Sequence, residues 1–271
     1  MKTRIIVSAV GIPLLLLVLL VLPPIATALL IGMMSVIAAY ELMWRTGLTK
    51  NILLVAFSAV MALAVSLWCS SDMSWQSALI GLWSFLMLLV CLMIASHGSI
   101  PFEQVGLSVF AGLILPLMLS ALTRIGTMDY GRYYILIPLV LCFGTDSAAY
   151  FVGCAIGRHK MAPIISPKKS WEGAVGGALG GITLMFIYTL VLDLAFGADV
   201  RYGACILYGV LGAAVCVLGD LAFSVIKRQC GIKDYGNLLP GHGGILDRFD
   251  SMTFVAPMTE ALLLVMPLII A

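Results

Sequence analysis

The sequence predicts an all-α membrane protein, and its composition, apolar segments and cation distribution all favour that class. The 271-residue chain is 62% hydrophobic and only 10% charged, with a mean hydropathy of +1.12. These values exclude an ordinary soluble globular protein. No segment alternates polar and apolar residues with the period of two that a membrane barrel requires. A polytopic bundle of helices is therefore expected, with too little polar sequence left for a separate soluble domain.

Nine segments are predicted to cross the membrane, because a crossing helix needs about 20 apolar residues. They are residues 5–22, 25–44, 52–69, 75–95, 105–122, 133–154, 173–196, 202–226 and 252–271. Residues 1–132 are predicted to form a scaffold of about five helices. Residues 133–271 are predicted to form a catalytic region of about four helices, with two motif loops and a polar cleft facing the cytoplasm. In the scaffold, Glu41 is placed to pair with Arg45 at i+4 and is interpreted as a structural acid.

The cations predict the orientation of the chain. With a cytoplasmic N-terminus, the Lys and Arg residues gather on the cytoplasmic side, and only Arg124, Arg132 and Arg201 lie outside. Basic residues are retained on the cytoplasmic side, so this bias supports an odd number of helices and an external C-terminus. Lys2 and Arg4 before an apolar run resemble a signal peptide, but a second apolar segment follows at once. We expect an uncleaved first helix.

The most informative stretch is the polar loop before the last predicted helix. Residues 224–250 read SVIKRQCGIKDYGNLLPGHGGILDRFD. Polar groups beside lipid are costly and are functional candidates by default. Cations and glycine-rich backbone suit a phosphate, and carboxylates suit Mg²⁺. The loop therefore predicts a combined phosphate and metal site.

Four acids are candidate metal ligands and candidate catalytic residues: Asp146, Asp220, Asp247 and Asp250. Mg²⁺ is usually held by one or two carboxylates together with substrate phosphates and water. Structural alternatives remain open for each acid. Asp146 is also suited to a polar contact between helices, and Asp220 to an ion pair with a cation seven or eight residues on. The last two acids are also suited to capping a helix.

The predicted eighth helix presents part of this chemistry on one face. Its roughly 26 residues extend about 39 Å at 1.5 Å per residue, which exceeds the hydrocarbon core. Asp220, Ser224 and Lys227 are spaced i, i+4, i+7 and therefore share a face. The surplus length is expected to project into the cytoplasm or to line a cleft.

A second polar loop, GRHKMAPIISPKKSWEG at residues 157–173, precedes a glycine-rich helix start. Its glycines, spaced four apart on adjacent stripes, predict close packing against another helix. Lys227 and Arg228 are further catalytic candidates. The candidate substrate-binding residues from both loops are Ser166, Lys168, Lys169, Ser224, Lys233, His242, Gly243, Gly244 and Arg248. The structural alternative for the cations is that they only set the orientation of the chain in the membrane. The alternative for the PGHGG segment is a plain turn at the membrane interface.

Carboxylates opposed to a basic wall suit attack on a phosphorus atom, where positioning and charge neutralisation supply most of the catalysis. An attacking phosphate monoester is already an anion and needs no strong general base. The difficulty in such a reaction is repulsion between two anions, which metal ions, Lys and Arg relieve.

Residues 224–250 resemble the signature of the phosphatidate cytidylyltransferases, also called CDP-diacylglycerol synthases, S-x-x-K-R-x4-K-D-x-G-x3-P-x-H-G-G-x-x-D-R-x-D. The thirteen matching positions are Ser224, Lys227, Arg228, Lys233, Asp234, Gly236, Pro240, His242, Gly243, Gly244, Asp247, Arg248 and Asp250. SPKKSWEG at 166–173 and the segment around Asp146 also look like that family. One departure is Phe223, since members often carry an acid before the signature serine.

The resemblance implies that CTP and phosphatidate react to give CDP-diacylglycerol and pyrophosphate, with Mg²⁺ as cofactor and a second metal ion left open. It implies a homodimeric all-helical enzyme of the bacterial inner membrane, surrounded by membrane lipids and with no nucleic-acid partner. Asp220 and Asp247 would be the main metal ligands, with Asp146 and Asp250 close to the same cleft. Phosphates would be held by Lys168, Lys169, Lys227, Arg228 and His242.

Two rival functions remain at this point. A related enzyme would activate a different lipid phosphate, such as an isoprenoid or ether lipid, because acyl-contacting residues look like any other apolar positions. A transporter of anionic lipid or nucleotide is the rival of a different class. It would carry charges near the bilayer midplane in repeated, interrupted helices, whereas the charge here gathers at the cytoplasmic end. The D-G-x2-A-R…G-x3-D-x3-D string of CDP-alcohol phosphotransferases is absent.

Overall fold

The computed structural model describes residues 2–70, 74–238, 241 and 243–270, and it is predominantly helical. The α-helices are α1 (Lys2–Leu20), α2 (Pro24–Tyr40), α3 (Ile52–Trp68), α4 (Trp75–Ala95), α5 (Phe102–Val109), α6 (Leu115–Leu119), α7 (Ala121–Gly126), α8 (Gly131–Tyr134), α9 (Leu136–Ile156), α10 (Trp171–Phe196), α11 (Ala204–Gln229) and α12 (Leu246–Val265). Two π-helical turns, Glu41–Arg45 and Phe110–Ile114, follow α2 and α5. The predicted all-α class is confirmed.

Six helical stretches of the described chain are long and apolar enough to cross a membrane. They are Pro24–Arg45, Trp75–Ala95, Phe102–Gly126, Gly131–Ile156, Trp171–Phe196 and Ala204–Gln229. Two shorter apolar helices, Ala9–Leu20 and Ile52–Trp68, accompany them. The chain is therefore a multi-pass membrane protein. The count of nine crossings and the orientation of the termini stay predictions.

By packing, the chain divides into two compact units. The first unit comprises Met1–Thr127 with Cys230–Arg248, and the second comprises Met128–Gln229 with Phe249–Ala271. The segment Cys230–Arg248, which carries most of the signature, thus packs with the N-terminal helices. The predicted scaffold at 1–132 and catalytic region at 133–271 are functional assignments and stay predictions.

The first unit is built around the close pairing of α2 with α3. Asn51 caps α3, because its side-chain oxygen accepts hydrogen bonds from the backbone N–H groups of Leu53 and Leu54. A Cβ added at Gly32 of α2 would lie 2.7 Å from Cδ1 of Leu63 and 3.3 Å from Cβ of Ser66 on α3, so the glycine leaves little space between the two helices.

The second unit is organised by α10, which packs between α9 and α11. Gly176 and Gly180 face Val152 and Ala148 of α9, while Gly181 faces the Gly209 carbonyl of α11. The predicted role of the glycine stripe in close helix packing is confirmed.

Replacing Gly176 with alanine is expected to destabilise the protein by about 1–3 kcal/mol, because an added methyl overpacks a rigid contact. A Cβ at this position would lie 2.5 Å from the Cβ of Val152, and a β-branched side chain cannot move aside. Thermal unfolding of the detergent-solubilised protein measures the effect.

The matched control is Gly81→Ala on α4, where an added Cβ meets nothing within 4 Å. This change is expected to be neutral or slightly stabilising, since alanine favours a helix. An equal loss of stability in both variants would contradict the packing role of Gly176.

The loop at 157–173 is more ordered than the sequence indicates, because it contains a β-hairpin. Strand β1 (Lys160–Ala162) pairs antiparallel with β2 (Ser166–Ser170), with Lys160 opposite Ser170 and Ala162 opposite Ser166. Ser170 then caps α10 by accepting a hydrogen bond from the backbone N–H of Gly173. The hairpin therefore holds its polar residues in a defined register immediately before α10.

The last helix begins and ends earlier than predicted. Instead of residues 252–271 it covers Leu246–Val265, so the last two signature acids, Asp247 and Asp250, lie within its first two turns. It ends just before Met266-Pro267, where the residue preceding proline is restricted away from helical geometry. Beyond it, Ile269 donates its backbone N–H to the Tyr134 hydroxyl.

Candidate active site

A cleft of about 260 Å³, lined by charged and by apolar residues, lies in the second unit between α9, the β-hairpin, α10 and α11. Its lining residues are Asp146, Ala149, Tyr150, Met161, Ser166, Lys168, Lys169, Ser170, Gly173, Ala174, Val217 and Asp220. Five sequence-predicted residues are therefore brought together: two acids, two lysines and a serine. The cleft combines both charge signs in the part of the chain where the sequence predicts a polar site.

Asp220 and Lys169 form the central ion pair of this cleft. The Lys169 Nζ lies 2.7 Å from Oδ2 of Asp220 and also donates to the Val217 carbonyl at 3.3 Å. The side chain of Lys169 is 20% exposed and that of Asp220 is 31% exposed, so both remain reachable from the cleft. The alternative prediction paired Asp220 with a cation on its own helix. The structure shows a cation of the hairpin in contact with this acid.

One face of α11 carries the buried polar groups that hold Asp220. The Ser224 hydroxyl donates to Oδ1 of Asp220 at 3.1 Å, and Lys227, one turn further on, is only 8% exposed. The shared face predicted from the i, i+4, i+7 spacing agrees with these contacts. Ser224 is thus engaged with the acid, and both oxygens of Asp220 have a described donor.

Cys216 is a site residue that the sequence argument missed. It lies four residues before Asp220 on α11, and its Sγ donates to Oδ1 of Asp146 on α9 at 3.5 Å. Extending the polar face one turn backwards along α11 would have found it. The thiol links the acid of α9 to the helix that carries Asp220.

Asp250 lies in the second turn of α12, outside the candidate membrane spans, and is buried. Burial raises its pKa to about 7, and the charge of Asp220 raises this pKa as well. The hydrogen bond from the Ser251 N–H and the charge of Lys227 act in the opposite direction. Such a shift is typical of carboxylates that crowd together away from water.

Arg228 has a structural contact that the sequence does not indicate. Its Nε donates to the backbone carbonyl of Ile165, at the tip of the β-hairpin, at 3.2 Å. At the other end of the hairpin, the Glu172 carboxylate lies 2.6 Å from Nδ1 of His159. The hairpin that carries Lys168 and Lys169 is therefore fastened at both ends.

The first unit holds a second cluster, around Asp247. Oδ2 of Asp247 accepts hydrogen bonds from the backbone N–H groups of Tyr235 at 2.8 Å and of Gly244 at 3.0 Å. Gly243 has a φ of 93°, and a Cβ there would lie 3.0 Å from the same oxygen. Asp247 therefore fastens the signature loop to the start of α12.

The remaining predicted residues divide by exposure. Lys233 and Arg248 are exposed, as phosphate-binding cations require, whereas Gly244 is buried under the Glu41 carboxylate. His242 lies outside the described residues. Phe223, which replaces the acid common in the family, is buried and stacks edge-on against Phe254 with ring centroids 6.1 Å apart.

The donor chemistry of the cleft fits a hard divalent cation. Asp146 and Asp220 present carboxylate oxygens, the ligands that Mg²⁺ prefers, and Asp220 already attracts a cationic group. Among the described residues, no three His, Cys, Asp or Glu side chains form a ready metal cage. One or two carboxylates are nevertheless the usual protein share of a Mg²⁺ site that is completed by phosphates and water.

Comparison with known proteins shows the family to which this sequence belongs. The model of the Cytidylyltransferase family matches residues 2–266. A phosphatidate cytidylyltransferase of Bacillus subtilis is 38% identical over 185 residues, covering 68% of this chain and 67% of that protein. Proteins of the same name from Haemophilus influenzae and Staphylococcus aureus (strain COL) are 42% and 39% identical, over 47% and 51% of this chain.

The aligned stretches span 44%, 67% and 52% of the Haemophilus, Bacillus and Staphylococcus proteins, about half to two thirds of their lengths. The family match, in contrast, runs through nearly the whole sequence and includes the cleft and both polar loops. The chain therefore belongs to the cytidylyltransferase family.

Proposed function

We propose that this chain transfers a cytidylyl group from CTP to phosphatidate, giving CDP-diacylglycerol and pyrophosphate. Membership of the cytidylyltransferase family and the names of its relatives support the reaction class and the lipid substrate. The observation that carries the proposal is the cleft itself, where Asp220 pairs with Lys169 beside Lys168 and Asp146. Acids and cations held at one cleft suit a reaction between two phosphate groups.

In this reaction an oxygen of the lipid phosphate forms a bond to the α-phosphorus of CTP. The bond from that phosphorus to the oxygen of the β-phosphate breaks, and pyrophosphate leaves with the electron pair. Lys168 and Lys169 neutralise phosphate oxygens, which lowers the repulsion between the two anionic substrates. Ser224 holds Asp220 through its hydroxyl, and Arg228 keeps the lysine-bearing hairpin beside the cleft.

Mg²⁺ is the proposed cofactor, with Asp220 as its first ligand and Asp146 beside it. When bound, such an ion supplies charge neutralisation to the phosphates and to the leaving pyrophosphate. Asp250 and Asp247 complete the proposed acidic set, with Asp247 already committed to two backbone N–H groups.

The remaining proposals concern the setting of the enzyme. Its N-terminus lies in the cytoplasm of a bacterial inner membrane and its C-terminus outside, as the cation bias favours. CTP then enters from the cytoplasm, and phosphatidate enters sideways so that its acyl chains stay in the bilayer. The enzyme acts as a homodimer, in keeping with the family resemblance.

The experiment that tests the reaction is pyrophosphate release by the purified, detergent-solubilised protein with CTP and Mg²⁺. Release is expected only when phosphatidate is also present, together with a CDP-lipid product identified by mass spectrometry. Omission of Mg²⁺ with added chelator is expected to stop the reaction. CTP breakdown that does not need the lipid, or no release from well-folded protein, would contradict the proposal.

The lipid is varied in the same assay, because the acyl-contacting residues do not reveal which lipid phosphate is used. Activity with an isoprenoid phosphate but not with phosphatidate would keep the cytidylyl transfer and change the substrate. Inactivity with every lipid phosphate would move the assignment to transport.

A further inference from the structure

Glu41 is a buried acid within a helical stretch apolar enough to cross a membrane. It begins the π-helical turn Glu41–Arg45 that ends α2, and it is only 3% exposed. Its two carboxylate oxygens accept hydrogen bonds from backbone N–H groups about 200 residues away in sequence, Ile245 at 3.1 Å and Leu246 at 2.9 Å. A buried carboxylate is costly unless it is hydrogen-bonded, so these contacts explain why an acid is tolerated here.

The groups that Glu41 binds lie at the start of α12. The first N–H groups of a helix have no partner within the helix, and a negative charge at this end is favoured by the helix dipole. Glu41 therefore caps α12 from another part of the chain. The sequence-based pairing with Arg45 did not anticipate this contact.

Two glycines of the signature loop make room for the carboxylate. A Cβ added at Gly244 would lie 2.5 Å from Cδ of Glu41, and one added at Gly236 would lie 3.0 Å from the same atom. Any larger residue at either position would push the acid out of hydrogen-bond reach. The small size of Gly236 and Gly244 thus leaves room for the Glu41 carboxylate.

Arg45 of the same turn and Thr46, the residue after it, contact the same loop. Nη2 of Arg45 donates to the side-chain oxygen of Asn237 at 2.8 Å. The Thr46 hydroxyl hydrogen-bonds the thiol of Cys230, at the beginning of the loop. The end of α2 thus contacts the loop 230–246 at its start, its middle and its end.

Asp247 depends on this arrangement. It accepts hydrogen bonds from Tyr235 and Gly244 of the same loop, directly beside the residues that Glu41 binds. A loop released from Glu41 would let the Gly244 N–H and the first turn of α12 shift. The carboxylate of Asp247 would then lose its fixed position.

We infer that Glu41 is a positioning residue, which holds the signature loop and Asp247 in the geometry needed for cytidylyl transfer. It acts through the backbone of Ile245 and Leu246 and touches no substrate. The inference rests on the proposed function for its catalytic consequence, whereas the contact itself is independent of any activity.

The test is Glu41→Gln, which keeps the size of the side chain but replaces one acceptor oxygen by an NH₂ donor that faces a backbone N–H. The expected result is a drop in kcat of about 10- to 100-fold, as for other groups that orient ligands. The Mg²⁺ concentration for half-maximal rate is expected to rise, while the KM for phosphatidate stays unchanged. A purely structural defect would lower the amount of active enzyme without changing the Mg²⁺ dependence.

Hydrogen–deuterium exchange supplies a readout that needs no activity. Faster exchange is expected at Ile245 and Leu246 in Glu41→Gln, and unchanged exchange in the control Glu103→Gln, an exposed acid of α5. Unchanged exchange in Glu41→Gln would overturn the inference, as would faster exchange with wild-type kcat and Mg²⁺ dependence. If the wild-type protein formed no CDP-lipid, the proposed function and the catalytic part of the inference would both fail. The exchange data would then still decide whether Glu41 caps α12.

Discussion

Asp220→Asn is expected to lower the rate of CDP-lipid formation by about 1,000-fold, because a bound metal ion supplies several kcal/mol of charge stabilisation. Asparagine keeps an oxygen that accepts the Ser224 hydrogen bond, so the fold of α11 is expected to survive. The charge that pairs with Lys169 is lost, however, and so is the proposed first ligand of Mg²⁺. Initial rates at saturating CTP and phosphatidate measure the effect.

Asp193→Asn is the matched control for this change. Asp193 also accepts a hydrogen bond, from the Tyr202 hydroxyl at 2.5 Å, but it lies near the opposite end of α10 from the cleft. Its variant is expected to keep nearly normal rates. A nearly normal rate in a folded Asp220→Asn protein would remove Asp220 from the metal role.

Lys169→Gln is expected to lower kcat/KM for CTP by about 10- to 100-fold, since a hydrogen bond from a charged donor contributes about 1.5–3 kcal/mol. In the structure the Nζ of this lysine lies 2.7 Å from Oδ2 of Asp220 and neutralises its charge. When phosphates and Mg²⁺ bind, its ammonium group is free to turn to a phosphate oxygen, as the compact, flexible lysine side chain allows. Steady-state kinetics with varied CTP, at fixed phosphatidate and Mg²⁺, measure the loss.

Lys160→Gln separates this role from the general charge of the hairpin. Lys160 lies on the paired strand opposite Ser170 and is exposed, so its replacement removes the same charge without touching Asp220. A small effect is expected. Equal losses in both variants would indicate that only the net charge of the hairpin matters, and would contradict a specific role for Lys169.

Local sequence patterns were sufficient to predict features that depend on neighbouring residues of a single segment. Long apolar runs predict helices because a membrane leaves few other ways to satisfy backbone hydrogen bonds. The spacing of Asp220, Ser224 and Lys227 predicts one helix face, and the glycine stripe before Gly181 predicts close packing. The specific spacing of the signature identifies the family, which the match over residues 2–266 supports.

Contacts between residues far apart in the sequence could not be predicted from local patterns. The partner of Asp220 is Lys169, 51 residues earlier, because the hairpin of residues 160–170 folds back towards α11. The sequence analysis described this segment only as a polar loop and did not predict the strand register that directs its lysine inwards. Arg228 was predicted to bind a phosphate. Its contact with the Ile165 carbonyl was not predicted, because it also depends on how the hairpin folds back towards α11.

The sequence by itself determined the membrane class, most of the helical segments and the family to which the chain belongs. The acids and cations that it proposes for the site stay predictions. Each of these depends on composition or on spacing within a single segment, where side-chain neighbours follow from helix geometry. Only the tertiary structure decided which charge meets which: Lys169 with Asp220, Cys216 with Asp146, and Glu41 with the start of α12. Such pairings depend on how separate helices pack. A buried acid accepts whichever donors the packed chain brings within about 3 Å, and no one-dimensional pattern encodes that choice.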